Sequence, residues 1–232
     1  MKATRHSSTA EATAAVRAWH RLNHTPLIFD DPYALAFTSK PWRVICHNKL
    51  LTWLIFERVL KKLQPVAAEI ICRSRYTEDK LESAIQNGID QYVLLGAGFD
   101  SFVLRRPDLL EKIRIYEVDH PLSQRVKKER IQLQSDSIPS NLEFVPIDFE
   151  KETLPDALRE SGYDSERPAF FSWLGVVQYL PRAAVFVTLE SLASTVAAGS
   201  ELVFDYLVPE EELQGPDRRV LEGLKRFSET AW

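Results

Sequence analysis

Two glycines separated by one residue, Gly96 and Gly98, directly follow the apolar run at residues 92–95. Neither glycine carries a Cβ, so a strand that ends in Gly-x-Gly lets the backbone approach a ligand closely. Nucleotide cofactors use turns of this kind, but the pair alone is a weak signal. The residues around the glycines must therefore indicate which ligand the turn would hold.

Acidic residues end the next two predicted strands, Asp119 the first of them and Asp148 the second. In an open parallel sheet, ligands bind outside the carboxyl ends of the strands, where the strand order reverses. A carboxylate at the first of these positions can accept hydrogen bonds from both hydroxyls of a ribose. Each aspartate also has a structural interpretation: Asp119 precedes His120-Pro121 and would suit a helix cap, and Asp148 would suit a turn.

The loop after the glycines disfavours a pyrophosphate. A dinucleotide fold has a third glycine where this chain has Ser101. Asp100 places a carboxylate at the start of the next predicted helix, where it would repel phosphate but attract a cationic amino group. A cofactor with adenine, ribose and an ammonium group but no phosphate fits these residues. The sequence therefore favours S-adenosylmethionine, and an NAD-dependent oxidoreductase remains the alternative.

The elements that must position these residues fall into two regions. Helical spacing predicts helices over residues 9–23, 49–63 and 66–87, with a further helix starting at Pro32. After Gly88 the sequence pattern changes to short apolar runs separated by segments with helical spacing. The predicted strands are "QYVLLG", "IRIYEVD", "LEFVPID", "AFFSWLG" and "SELVFDYLV", and the predicted helices between them span 100–110, 121–134, 151–161 and 181–197. Alternation of this kind predicts an α/β fold with a Rossmann-like, doubly wound and mainly parallel sheet.

Composition narrows the possible partners. The chain has 232 residues, 45% of them hydrophobic and 27% charged, as expected of a globular protein. Its net charge of −4 provides no broad basic field, so nucleic acid is not expected as a partner. The densest basic run, which contains Lys127, Lys128 and Arg130, is interpreted as a solvated helix face.

Cysteines and apolar runs indicate neither a metal site nor a membrane anchor. Cys46 and Cys72 are too few for a disulfide scaffold and do not have the spacing of metal ligands. The longest strongly apolar run, at residues 50–56, is far shorter than the roughly 20 residues that a membrane span needs. A cytoplasmic protein without membrane contacts is expected.

Several stretches together resemble the bacterial branch of the leucine carboxyl methyltransferase family, which are class I methyltransferases that use S-adenosylmethionine. The stretches are "SSTAEATAAVRA", "DDPYA", "RSRYTEDKLESAIQNGIDQYVLLGAGFDS", "IYEVDHP", "FVPIDF" and "GSELVFDY". The resemblance runs from about residue 5 to residue 208. It implies a helical N-terminal cap over residues 1–88 and a cofactor-binding α/β core over residues 89–232.

The resemblance also implies roles for individual residues. Arg75 in "RSRY" would bind the methionine carboxylate through its guanidinium group, and Arg73 competes for that role. The glycine turn, residues 96–98, would line the methionine portion, and Asp119 would bind the ribose hydroxyls. Asp148 together with Phe149 would contact the adenine.

The sequence departs from the family pattern in two places. Where eukaryotic members have a glutamate after the fourth strand, this chain has Trp173-Leu174-Gly175. The chain also ends at Trp232, some 20 residues after the fifth predicted strand. The last antiparallel strand pair of the usual seven-stranded sheet is therefore expected to be missing. A truncated remnant without catalytic activity is a second alternative.

The expected reaction is methyl transfer to a carboxylate or hydroxyl oxygen of a small molecule or peptide terminus. A carboxylate acceptor is ionised at neutral pH and needs no general base. A hydroxyl acceptor would need one, and His120 and Tyr179 are the weak candidates near strand ends. Aromatic residues of the cap such as Trp19 and Phe37 would line the acceptor pocket or pack in the core. The acceptor and the oligomeric state are left open.

Overall fold

The computed structural model describes residues 8–135, 137–148, 152–208, 210–215 and 218. The prediction for Phe149 lies outside the described residues, as does the C-terminal stretch 219–232.

Helices dominate the chain before the first strand. They are α1 (Ser8–Asn23), α2 (Lys40–His47), α3 (Lys49–Thr52) and α4 (Gln64–Gln86), with 3-10 turns at Ala34–Phe37 and Lys61–Leu63. The predicted helix over residues 49–63 is not uniform, because the segment Trp53–Val59 has π-helical hydrogen bonding and the N–H of Leu60 donates to the carbonyl of Ile55. Pro32 precedes the 3-10 turn rather than an α-helix.

The remainder alternates strands with helices, as predicted. The strands are β1 (Gln91–Leu95), β2 (Arg114–Asp119), β3 (Leu142–Pro146), β4 (Phe170–Trp173) and β5 (Glu201–Phe204). The helices between them are α5 (Phe102–Arg105), α6 (Pro107–Leu110), α7 (Pro121–Gln132), α8 (Leu154–Glu160) and α9 (Arg182–Thr195). The predicted helix over 100–110 is split in two, because proline disfavours helical backbone in the residue before it and Arg106 adopts φ −119° and ψ 54° before Pro107.

Within the described residues, the sheet has five strands in the order β3-β2-β1-β4-β5, and all of them pair in parallel. The order reverses between β1 and β4, which are neighbours with Tyr92 opposite Phe170. This is a doubly wound, Rossmann-like sheet, and the reversal marks the place where such sheets bind ligands.

Both faces of the inner strands β1, β2 and β4 are buried, as is usual in a parallel sheet. The alternate residues Tyr92 and Leu94 face a core built with α1, α4, α5 and α7. Val93 and Leu95 face a second core, to which α8 and α9 contribute. A third cluster lies within the N-terminal helices, where the rings of Trp19 and Phe56 stack with centroids 4.8 Å apart.

Within the described part of the chain, no helix has the length and apolarity that a membrane crossing requires. Trp19 and Phe37 are buried core residues, which agrees with the packing role considered for them.

Candidate cofactor site at the strand ends

The glycine turn follows β1 and packs against the end of β2. The N–H groups of Gly96 and Ala97 both donate to the carbonyl of Val118, at 2.8 and 3.1 Å. Gly96 has φ +68° and Gly98 has φ +47°, backbone conformations that glycine adopts without strain. A Cβ at Gly96 would lie 2.5 Å from a methyl carbon of Val176, so the turn is also closed sterically to larger residues.

Asp119 lies directly beside this turn. One carboxylate oxygen accepts the N–H of Gly98 at 2.6 Å, and the other accepts the N–H of His120 at 2.6 Å. Burial raises the pKa of Asp119, and these two N–H groups only partly offset that effect. His120 itself caps α7, because its Nδ1 accepts the N–H of Leu122. The structure thus brings together the glycines and the carboxylate that were predicted to share a site.

Asp148 follows β3, the strand that pairs with β2. The N–H of Ile147 donates to the carbonyl of Asp119 at 3.0 Å, which places the end of β3 beside the end of β2. The backbone N–H of Asp148 contacts the carboxylate of Glu152, whose own N–H donates to the Asp148 carbonyl. Asp148 therefore lies just after β3, beside the end of β2.

Asp100 and Ser101 are engaged at the start of α5. The carboxylate of Asp100 accepts the N–H of Phe102 at 2.6 Å, as expected of an acidic residue at a helix N-terminus. Burial acts to raise the pKa of Asp100, but the charges of Arg105, Arg17 and Lys127 outweigh it and lower the pKa. Asp100 is thus ionised at neutral pH and suits an ammonium group.

Ser101 is fully buried and is held by two neighbours. Its hydroxyl donates to Asp31 at 2.7 Å and accepts from Nε of Arg105 at 2.8 Å. Arg17 also reaches this loop, because its Nη2 donates to the carbonyl of Phe99 at 2.7 Å. Residues from the N-terminal region therefore hold the loop that follows the glycines.

A buried ion pair lies beneath the site. Glu117 in β2 and Lys127 in α7 are almost completely buried, and Nζ of Lys127 lies 2.6 Å from a carboxylate oxygen of Glu117. Burial raises the pKa of Glu117 to about 7, against the opposing effect of Lys127. Removing two charges from water costs free energy, and the attraction between the paired charges offsets that cost.

The predicted solvated face of α7 is therefore wrong for two of its three basic residues. Lys127 is buried against Glu117, and Arg130 forms an ion pair with Glu11 of α1 at 2.7 Å. Arg130 also donates to the carbonyl of Phe37 and lies over the ring of Phe99. The helix faces the sheet and α1 along this side, so its positive charges meet buried acceptors rather than water.

The two arginines of "RSRY" lie in different surroundings. Arg75 is 58% exposed and pairs with Asp79 one helical turn along α4. Arg73 is 15% exposed and pairs with Asp205, after β5, at 2.6 Å. A Cβ at Gly175, after β4, would lie 2.6 Å from a guanidinium nitrogen of Arg73. Arg73 therefore approaches the strand ends, whereas Arg75 faces outward.

Asp205 connects these elements. Its second carboxylate oxygen accepts the N–H of Gly175 at 2.7 Å. The next residue, Val176, contacts Gly96 across the reversal point. The guanidinium group of Arg73 is thus joined to the glycine turn through a short series of contacts. Tyr179, a candidate base, lies on a 3-10 turn just beyond and is 37% exposed.

Sequence reasoning missed the buried partners of the loop and the pair beneath it. Glu117 carried a signal, because a charge in the middle of an otherwise apolar central strand requires a buried partner. Asp31 and Arg17 are separated from Ser101 by about 70 to 84 positions, and no local pattern links them. Only the fold brings them together.

Comparison with known proteins identifies the family. A family model described as leucine carboxyl methyltransferase matches residues 10–193. The chain belongs to the leucine carboxyl methyltransferase family. The matched region extends from α1 to α9 and includes the glycine turn, all three acidic residues of the candidate site and both arginines of "RSRY".

Two curated bacterial proteins are similar to the chain. The chain is 33% identical to YktD of Bacillus subtilis (strain 168) over 221 residues, which cover 89% of this chain and 72% of the relative. It is 30% identical to a protein of Mycolicibacterium paratuberculosis over 232 residues, 97% of this chain and 72% of the relative. The names of both relatives assign them provisionally to the S-adenosyl-L-methionine-dependent methyltransferases.

Structural comparison supports the fold of the family. A crystal structure from Thermobifida fusca YX, titled as a provisional methyltransferase, superposes with a TM-score of 0.60 at 17% identity. The match covers 94% of this chain and 74% of that one. The dinucleotide alternative receives no support from these relatives, and Ser101 is committed to Asp31 and Arg105.

Proposed function

We propose that this protein is a methyltransferase that binds S-adenosylmethionine at the carboxyl ends of β1, β2 and β3. The observation that carries the proposal is the 2.6 Å hydrogen bond from the N–H of Gly98 to the carboxylate of Asp119. It joins the glycine turn after β1, a strand that borders the reversal of strand order, to the acidic group at the end of the neighbouring strand β2. The names of the bacterial relatives supply the cofactor.

The residues present fit the cofactor part by part. Asp119 would accept the ribose hydroxyls through the lone pairs that its two N–H contacts leave available. Asp100, which is ionised, would pair with the amino group, and the turn at Gly96 and Gly98 would lie along the methionine chain. Asp148 at the end of β3, together with Phe149, is proposed for the adenine.

The methionine carboxylate requires a cation, and α4 offers two. The resemblance gives Arg75, which is exposed and free to move toward a ligand by exchanging its contact with Asp79. Arg73 is already at the strand ends beside Gly175. The two guanidinium groups are alternatives for one role, and separate substitutions distinguish them.

The protein's own contribution to methyl transfer is position and exclusion of water. When bound, S-adenosylmethionine supplies a methyl group on a sulfonium centre, which is an excellent leaving group. Phe99, in the loop after β1, and Trp173, at the end of β4, are buried in the core near the proposed site. The helical region before residue 88 contacts the loop at 99–101.

The proposed acceptor is an oxygen, either a carboxylate or a hydroxyl, on a small molecule or a peptide terminus. A carboxylate would need only orientation, since it is ionised at pH 7. A hydroxyl would need a base within hydrogen-bond reach. His120 and Tyr179 are the proposed candidates. Nδ1 of His120 accepts the N–H of Leu122, so the neutral ring carries its proton on Nε2 and acts as a base only after this contact is released, whereas Tyr179 presents a partly exposed hydroxyl.

Calorimetric titration with S-adenosylhomocysteine and with NADH tests the proposal. We expect S-adenosylhomocysteine to bind and NADH not to bind. Asp119→Ala should weaken binding by about 1.5–3 kcal/mol, since its hydrogen bonds to ribose involve a charged acceptor. Asp90→Ala is the matched control. Asp90 lies before the amino end of β1, opposite the carboxyl ends of the strands, and pairs with Arg167.

Binding of NADH without binding of S-adenosylhomocysteine would contradict the proposal. Unchanged affinity in Asp119→Ala would show that the ribose lies elsewhere.

A further inference from the structure

Two side chains from separate parts of the chain and one neighbouring backbone N–H converge on one buried carboxylate. Asp31, which is 1% exposed, accepts hydrogen bonds from Nε of Arg17 at 2.8 Å and from the hydroxyl of Ser101 at 2.7 Å. Its first oxygen also accepts the N–H of Tyr33 at 3.1 Å. Asp31 belongs to the "DDPYA" stretch, to which the proposed function assigns no role.

Arg17 makes a second contact from the same buried position. While Nε binds Asp31, Nη2 donates to the carbonyl of Phe99 at 2.7 Å. The planar guanidinium group thus fixes the distance between the segment before the first 3-10 turn and the backbone of the loop after β1. Arg17 is 6% exposed, so both contacts are shielded from solvent.

Arg105 holds the same loop from the other side. Its Nε donates to the Ser101 hydroxyl at 2.8 Å, and its Nη2 lies 2.6 Å from Glu78 of α4. The carboxylate of Asp100 lies 3.6 Å from Arg105. Three consecutive loop residues, 99 to 101, are therefore each bound by an arginine or by Asp31.

We propose that Arg17 and Asp31 are positioning residues for the cofactor. They hold the loop at residues 99–101, through Ser101 and the Phe99 carbonyl, in the conformation that receives the methionine portion. The inference rests on the proposed placement of S-adenosylmethionine at this loop. It assigns a function to Asp31 of "DDPYA" and to Arg17 of the N-terminal helix, which act through the loop.

The geometry explains why the N-terminal region belongs to the site. A loop that carries two glycines has many accessible conformations, and ordering them costs free energy that a ligand would otherwise supply on binding. The contacts of Arg17 and Asp31 are made before the ligand arrives, so the loop is already ordered. Losing them should weaken cofactor binding even in a protein that remains folded.

The test measures the affinity for S-adenosylhomocysteine by calorimetry, at a temperature where circular dichroism shows each variant folded. Ser101→Ala removes a single hydroxyl and should weaken binding about five- to tenfold. Ser161→Ala is the matched control, because the Ser161 hydroxyl donates to Ala157 in α8, away from the loop. The control should bind as the wild type does.

A double-mutant cycle separates positioning from a general loss of stability. If Asp31 acts on the cofactor through Ser101, Asp31→Asn and Ser101→Ala will have non-additive effects on affinity. Arg17→Lys, which keeps the charge but cannot make both contacts, should fall between the wild type and Arg17→Met. Additive effects in the cycle would overturn the positioning role.

Asp119→Ala is titrated in parallel to distinguish failure of the positioning role from failure of the proposed cofactor site. If Asp119→Ala loses affinity while Ser101→Ala and Asp31→Asn bind like the wild type, the positioning role is wrong and the cofactor site stands. If Asp119→Ala also binds like the wild type, the proposed site is wrong and the positioning role falls with it.

Discussion

Strand β1 and the loop after it differ sharply from the outer strand β5. All five residues of β1 are buried, and the loop after it is held by Arg17, Asp31 and Arg105. In β5, by contrast, Glu201 and Phe204 are exposed. We call β1 to β3 the enclosed half of the sheet, because the N-terminal region holds the loop after β1. We call β4 and β5 the open half, because β4 is buried but the outer strand β5 is exposed in the described part of the chain.

The open half also presents apolar side chains to solvent. Val187 on α9 is 63% exposed and Tyr206 after β5 is 67% exposed. The loop proposed to receive the cofactor is thus held by buried charges, whereas β5 and α9 present exposed apolar side chains. Substitutions should therefore be costly on the enclosed half and mild on the open half.

The largest effect is expected at the buried ion pair of the enclosed half. Glu117→Ala leaves Lys127 buried without a partner and should lower the free energy of unfolding by about 3–5 kcal/mol. Val187→Ala, on the open half, should change it by no more than about 0.5 kcal/mol. Urea unfolding measures both.

A double substitution tests whether the loss of stability comes from the unpaired charge. Glu117→Leu with Lys127→Met removes both charges, and it should recover most of the loss seen in Glu117→Ala. If Glu117→Ala were as stable as Val187→Ala, the pair would not be a constraint and the contrast between the halves would fail.

Gly96→Ala tests the contact between the two halves. The new Cβ would meet Val176, and alanine would have to adopt φ +68°, so we expect a loss of about 2–4 kcal/mol from strain and overpacking. Urea unfolding again measures the loss. Val176→Ala in the same chain removes the clash and should restore the steric part only. A Gly96→Ala variant of wild-type stability would mean that Val176 does not press on the turn.

The smallest effect separates the two arginines of α4. Arg73→Ala should weaken S-adenosylhomocysteine binding about tenfold, or about 1.4 kcal/mol, if the buried arginine holds the methionine carboxylate. Arg75→Ala, which breaks an exposed pair, should then change affinity and stability by less than about 0.5 kcal/mol. The opposite ranking in calorimetry would assign the carboxylate to Arg75.

Much of this architecture could be predicted because its signals are local. The apolar runs that become β1 to β5, the glycine turn and Asp119 each follow from neighbouring residues, and the parallel pairing places them at one edge. Where a helix prediction differed, the reason was also local, as at Pro107.

The remaining features depend on contacts between distant segments. The basic run of α7 resembles a solvated face in sequence, and only the position of Glu117 shows that Lys127 must be buried. The link from Asp31 to Ser101 likewise exists only after α1 has packed on the sheet. Such residues are polar, so patterns of apolar spacing do not reveal them.

A crystal structure with S-adenosylhomocysteine directly tests whether the cofactor binds at the ends of β1 and β2. We expect the ribose hydroxyls within hydrogen-bond distance of the Asp119 carboxylate, the homocysteine portion along Gly96 and Gly98, and its amino group near Asp100. A cofactor bound away from the ends of β1 and β2, or bound there with Asp119 still turned only toward the backbone N–H groups, would contradict it.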